Sequence, residues 1–218
     1  MSPTNDLIIA LPRGALFEPT LDRLDRLGVD TSEVRANDRK LVFEELGIIT
    51  MRPSDVPTYV EAGAADVGIT GKDVLLEQAS PAAGEARRDV YELVDLGYGR
   101  CTMVLATAGG PDPALAALRR LGIVRVATKY PRIAASHFEE TGRQAEIIEV
   151  KGSVELAPLT GLVEAIVDLS ATGRTLGEHQ LVVREEIARC TARLIANPVA
   201  HKLKARAIDD LVERLRAD

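Results

Sequence analysis

The sequence predicts an α/β protein of two lobes, with the chain crossing twice between them and a ligand cleft where they face each other. Three observations carry this. Short apolar runs of strand length alternate with segments whose apolar residues recur at helical spacing, which argues for a largely parallel sheet. In the first half, three apparent strands each end at a cation beside small or acidic residues: Arg13-Gly14, Arg52-Pro53-Ser54-Asp55 and Gly71-Lys72-Asp73. In the second half, the run Ala165–Val167 ends at Asp168 and passes into a turn of small and hydroxyl residues, Ser170-Ala171-Thr172-Gly173-Arg174-Thr175.

Taken in order, Leu7–Leu11 reads as a buried strand broken by Pro12. Phe17, Leu21, Leu24 and Leu27 then lie on one helical face, and Gly28 closes that helix. Arg35–Lys40 is a basic, polar connection, and Gly47–Met51 is the second strand. Ser54 or Asp55 is placed to cap a short helix that stops at Gly63. Asp66–Thr70 is a third strand, followed by a helix over Val74–Gln78, and Ser80–Asp89 reads as an exposed loop. Tyr91–Leu96 and Cys101–Ala106 are strands, and the Gly109–Pro113 turn leads into a helix ending at Leu121. Val124–Thr128, the helix Arg132–Glu140 and the strand Ala145–Val150 follow, and Ser153 is expected to cap the next helix. Leu181–Ile195 runs long and semi-alternating. The last helix starts at Asn197-Pro198, with Val199, Leu203, Ala207, Leu211 and Leu215 as its core face. Residues 1–97 with 181–218 form one lobe and 98–180 the other.

Composition limits the function. The chain has 218 residues, 46% of them apolar, enough for two small lobes with real cores. Its formal net charge of −6 disfavours general binding to nucleic acid or anionic membranes, so any polyanionic substrate needs cations gathered locally. Met1–Asp6 carries no secretory signal and no apolar run is long enough to span a bilayer, which predicts a cytoplasmic protein. Cys101 and Cys190 lie far apart and read as buried thiols. His137, His179 and His201 have no metal-ligand spacing and read as surface or structural residues; no metal ligands are assigned.

The pattern D-x-x-x-T-G from Asp168 to Gly173 suits a phosphorylated ribose. Hydroxyls and backbone N–H groups at a helix start hold a phosphate, and Asp168 accepts from ribose hydroxyls beside it. An ordinary N-capped helix is the alternative on spacing alone. Arg13, Arg52 and Lys72 share a position at strand ends, where α/β sheets bind ligands, and arginine forks match diphosphate geometry. Aromatics are 3% of the chain, so Tyr98 and Tyr130 are the candidates for stacking on a base.

Four stretches together resemble the ATP phosphoribosyltransferases, which make the first committed intermediate of histidine biosynthesis. They are ALPRGAL (Ala10–Leu16), RPSDVPTYVEAGAADVGITGKDVL (Arg52–Leu75), ATKYP (Ala127–Pro131) and GSVELAPLTGLVEAIVDLSATGRTL (Gly152–Leu176). The chain departs from the family at Arg13-Gly14-Ala15, where Lys-Gly-Arg is usual, so Ala15 drops one cation. The resemblance implies that N1 of ATP displaces pyrophosphate from C1 of phosphoribosyl pyrophosphate, with substrate-bound Mg²⁺. It implies that Asp168–Thr175, with Glu155 nearby, hold the 5-phosphate and ribose, while Arg39 and Arg52 neutralise the leaving pyrophosphate. Arg13, Gly14, Gly71, Lys72 and Asp73 complete the expected substrate-binding set. The implied fold is like the type II periplasmic binding proteins. A chain ending at Asp218 resembles the family's short form, which implies a homodimer within a hetero-oligomer containing a regulatory subunit similar to histidyl-tRNA synthetase. A two-lobed sensor or transport receptor is the competing class; the absent signal peptide and the phosphate loop with opposed arginines count against it. Another phosphoribosyltransferase would share the D-x-x-x-T-G pattern but not Arg52–Leu75.

Overall fold

The computed structural model describes residues 6–79, 89–171 and 173–217, the side chains of Arg174 and Thr175 excepted. Thr172 and all but the last residue of the expected loop Ser80–Asp89 lie outside them, as do residues 1–5. The chain begins β1 (Ile9–Pro12), α1 (Phe17–Arg26), α2 (Ser32–Ala36), β2 (Val42–Phe43), β3 (Ile48–Met51), α3 (Val56–Glu61), β4 (Val67–Gly71), α4 (Lys72–Ala79) and β5 (Tyr91–Asp95). It continues with β6 (Cys101–Ala108), α5 (Pro113–Leu121), β7 (Ile123–Thr128), α6 (Pro131–Glu140), β8 (Gln144–Glu149) and α7 (Leu156–Leu159). It ends with β9 (Ala165–Ser170), α8 (Arg174–Glu178), β10 (Leu181–Cys190), β11 (Ala192–Ala196), α9 (Pro198–Leu203) and α10 (Ala205–Ala217).

Two compact units result, Met1–Gly99 with Thr191–Asp218, and Arg100–Cys190. Among the described residues, the first unit holds one sheet in the order β2-β3-β1-β4-β11-β5. β1 pairs parallel with β3 and β4, and β11 returns antiparallel to β4 and β5. One face buries Leu21 and Leu24 of α1 with Ile208, Leu211 and Leu215 of α10. On the other face Val56 and Val60 of α3 pack with Ala10 and Ile195. The closeness of α3 explains a glycine inside β4: a Cβ on Gly68 would lie 2.6 Å from Val56 Cγ1 and 2.8 Å from Val60 Cγ2.

The second unit holds the order β10-β6-β9-β7-β8. β7 runs parallel to β8 and β9, while β6 is antiparallel to β9 and β10. Arg125 at β7 and Glu164 before β9 lock the parallel start: the Arg125 N–H donates to Glu164 Oε2 at 2.8 Å, and the guanidinium Nη2 to Oε1 at 2.6 Å. That guanidinium holds the Glu164 carboxyl below the usual carboxylate range.

Several expectations change. The segment Leu181–Ile195 is two strands in two sheets, parted at Thr191, so 181–190 belongs to the second unit and not the first lobe. Alternation alone cannot show that a strand changes partners. The last helix is also two, broken at Lys204. Val199 and Leu203 are 63% and 80% exposed, and Ala200, Ile208, Leu211 and Leu215 form the buried face. The break resets the helical phase, which is why strict four-residue spacing misled. Asn197 does cap α9, accepting from the Val199 and Ala200 N–H groups at 2.8 and 2.9 Å. Asp55 occupies the position before α3, but neither it nor Ser54 caps through its side chain. Glu155, not Ser153, precedes α7, and Ser153 contributes its carbonyl to the Leu156 N–H. The polar connection begins as helix α2, because Arg35 pairs with Glu18, Asp22 and Asp25 around the exposed side of α1. Among the described residues no helix is long and apolar enough to cross a membrane.

Candidate active site

In the second unit the expected ribose carboxylate sits on β9, between β6 and β7, rather than at its end. The strand runs two residues past Asp168 to Ser170, whose Oγ accepts from the Gly173 N–H at 3.0 Å. Gly173 has φ +73°, the left-handed turn that brings this N–H back toward the strand before α8. Ser170, Ala171 and Gly173 therefore form the expected turn. Thr172 lies outside the described residues, and of Arg174 and Thr175 only the main chain, in α8, is described.

Asp168 is half-buried. Burial is the main reason its carboxyl is pushed above the ordinary range, and Lys129 opposes that rise while Glu155 adds to it. Lys129 Nζ stands 3.7 Å from Asp168 Oδ1. Sequence reasoning missed this lysine, although the same strand-end logic finds it: it follows β7, whose Thr128 pairs with Val167 on β9. Buried Thr128 also receives the Tyr130 N–H at 2.8 Å, which fixes the turn carrying Lys129. His179 adds a neighbour, with Nε2 3.9 Å from Glu155 Oε1. Asp168 and Glu155 thus bring acceptors for hydroxyls together with a cation, Lys129. Lys129→Met removes the opposing charge, so the acid limb of the pH–kcat/KM profile is expected to move to higher pH. An unmoved limb places Lys129 outside the ionisation of Asp168.

In the first unit the strand-end residues divide by task. Arg13 serves as a bracket. Its Nε donates to Thr50 Oγ1 at 3.1 Å, its Nη2 to the Asn37 and Lys40 carbonyls at 3.1 and 2.8 Å, and its guanidinium covers the Phe17 ring. It thereby ties the segment carrying Arg39 to the end of β1. Arg13→Met should cost about 2 kcal/mol in urea unfolding, with lysine restoring only part because it lacks the fork. Equal stability of the methionine variant would remove the bracket role. Arg39 and Arg52 are exposed, and neither guanidinium pairs with a described residue. Both are held near Arg13, whose N–H bonds the Met51 carbonyl at 2.7 Å. The Arg52–Asp55 turn is braced by Thr70 Oγ1 on the Pro53 carbonyl at 2.8 Å and Gln78 Nε2 on the Ser54 carbonyl at 3.0 Å.

Gly14 takes φ +86° with open space above it. Gly71 is the last residue of β4, and a Cβ there would run into the Asp73 carboxylate, which lies over it. Lys72 is paired with Glu92, Nζ to Oε2 at 2.7 Å, so its ammonium is turned to β5. Tyr98 is no stacking platform: it packs against the first core, its hydroxyl 2.7 Å from Thr20 Oγ1, and burial pushes it up to about 12. Tyr130 is half-buried at the start of α6. His137 is structural, its Nε2 2.9 Å from Glu185 Oε2, with Arg143 gripping the same carboxylate. Among the described residues, no three His, Cys, Asp or Glu side chains gather to hold a metal ion by themselves.

A family model described as HisG, ATP phosphoribosyltransferase, matches residues 52–217. An ATP phosphoribosyltransferase of Rubrobacter xylanophilus is 52% identical over 94% of this chain and 93% of its own length. One of Bacillus licheniformis is 47% identical over 96% and 94%. Among solved structures, a Thermotoga maritima ATP phosphoribosyl transferase (HisG:HisZ) complex aligns with TM-score 0.77 at 33% identity, covering 96% of each chain. The periplasmic aliphatic sulphonate binding protein SsuA of Escherichia coli aligns at TM-score 0.60 and 15% identity, covering 95% of this chain and 70% of that one, a likeness of fold.

Proposed function

Because the chain belongs to the ATP phosphoribosyltransferase family, and so transfers the phosphoribosyl group of phosphoribosyl pyrophosphate to N1 of ATP in the first step of histidine biosynthesis, we propose the following division of labour among its residues. Asp168 and the Ser170–Thr175 turn take the ribose hydroxyls and the 5-phosphate, with Glu155 and Lys129 beside them. Arg39 and Arg52 take the departing pyrophosphate. In the reaction N1 uses its own lone pair to bond C1 while the C1–oxygen bond to pyrophosphate breaks. Positive charge develops on the ribose and negative charge on the leaving group, so the demand is for arginines and a cation rather than a nucleophilic side chain.

The observation that supports this assignment is the contrast among the cations of the first unit. Arg13 and Lys72 are occupied by the protein's own groups, whereas Arg39 and Arg52 face solvent with no described partner. A metal ion accompanies the substrate in this family. Mg²⁺ carried on the diphosphate fits the donor set, since it keeps phosphate and water ligands and needs one or two carboxylates, for which Glu155 and Asp168 are available. Arg13, Gly14, Gly71 and Asp73 shape the turns around the arginines.

The chain works as a homodimer within a hetero-oligomer, joined by a regulatory subunit similar to histidyl-tRNA synthetase; the HisG:HisZ complex found at 33% identity supports this. The direct test is the absorbance of N1-alkylated adenine in a mixture of purified chain, ATP, phosphoribosyl pyrophosphate and Mg²⁺, with and without the regulatory subunit. A rising signal in either mixture sustains the reading. Flat traces in both overturn it.

A further inference from the structure

Cys101 and Cys190 lie at opposite ends of the second unit in sequence, yet the antiparallel pairing of β6 and β10 sets them directly opposite each other, in register Cys190↔Cys101. Both are reduced thiols, Cys190 buried and Cys101 partly exposed. Directly opposed residues of an antiparallel pair have Cα atoms roughly 4.5–5.5 Å apart and project from the same face, inside the roughly 4.4–6.8 Å window a disulfide spans. Cys101 is the first residue of β6 and Cys190 the last of β10, so the pair closes this ladder. Their position is also singular in the chain. The connection Gly99–Arg100 enters the second unit at this pair, and Cys190–Thr191 leaves it. Just beyond, the Ala192 N–H bonds the Tyr98 carbonyl at 2.9 Å, so the two connections run side by side.

We propose that Cys101 and Cys190 form a dithiol–disulfide couple that staples the two chain connections of the second unit under oxidation by a peroxide. Cys101 is the sulfur a solvent oxidant reaches. Its thiolate attacks one peroxide oxygen, the O–O bond breaks, and a sulfenic acid and hydroxide result. The Cys190 sulfur then attacks the sulfenic sulfur, the S–S bond forms, and the hydroxyl leaves as water with the Cys190 proton. Two thiols are oxidised and one peroxide is reduced to two waters. A reducing thiol reverses the step by exchange.

The test treats the purified full chain with a small excess of hydrogen peroxide, then measures intact mass, free thiols and non-reducing peptide maps. The expected result is a monomer that has lost two hydrogens and both thiols, with the Cys101 and Cys190 peptides joined and separated again by dithiothreitol. Closing a loop of roughly 90 residues should also raise the melting temperature, by about 18 °C at most. Cys101→Ser and Cys190→Ala should each abolish the crosslink, and two separate variants guard against one failing to fold. Two titratable thiols after treatment, separate sulfinic acids, or disulfides only between chains each overturn the proposal.

Discussion

Arg52→Ala is expected to lower the single-turnover rate on the order of 10²–10³-fold, the loss typical when one preorganised donor to a developing charge is removed. Affinity for ATP should stay within about threefold, since a loss confined to the transition state appears in the rate rather than in ground-state binding. The reason lies in timing: the pyrophosphate gains negative charge only as its bond to C1 breaks. The substitution should leave the fold intact, because the Arg52 side chain is exposed and the turn is held through its main-chain carbonyls by the Thr70 and Gln78 side chains. Rapid-quench measurement at saturating substrates, with ATP titration alongside, separates the two effects. An unchanged single-turnover rate removes Arg52 from the mechanism and leaves Arg39 to carry the leaving group.

Asp168→Asn should separate activity from stability. Burial raises the Asp168 carboxyl above its unfolded value of about 3.9, so folding favours the protonated form. That contribution to stability is fully present below the unfolded value and is lost as pH rises through the folded one. At neutral pH the ionised carboxylate is therefore a strain on the substrate-free protein, and asparagine relieves it. The variant should melt higher than the parent at pH 7, with the gap closing in acid. Its kcat/KM should fall roughly 10–150-fold, the worth of a charge-assisted hydrogen bond to a ribose hydroxyl. A variant that melts lower at pH 7 would show that Asp168 is held as a structural anion by Lys129. Unchanged kcat/KM would take it out of substrate binding.

Much of this protein was legible before any tertiary contact was considered. Apart from the short β2, which was not anticipated, and β10 and β11, which were run together, the strands were read within a residue or two because apolar runs ending at Pro, Gly or charge are local signals, as at β3 and β7. So were the α1 stop at Gly28, with its φ of +87°, and the Asn197 cap. The family motifs likewise lie in contiguous stretches, which is why Arg52, Asp168 and residues 170–175 could be put forward from sequence as candidate substrate contacts. What the sequence could not decide is what long-range pairing decides. Whether a cation is free for a ligand or braces the fold depends on acceptors far along the chain: Arg13 meets Asn37 and Lys40, and Lys72 meets Glu92. Lys129 becomes a neighbour of Asp168 only because β7 and β9 pair side by side. The switch of strand partner at Thr191 and the helix break at Lys204 leave the local pattern of hydrophobicity intact while changing what each face meets. Local chemistry determined the elements and the motifs; the sheet order determined which side chains the protein's own groups occupy.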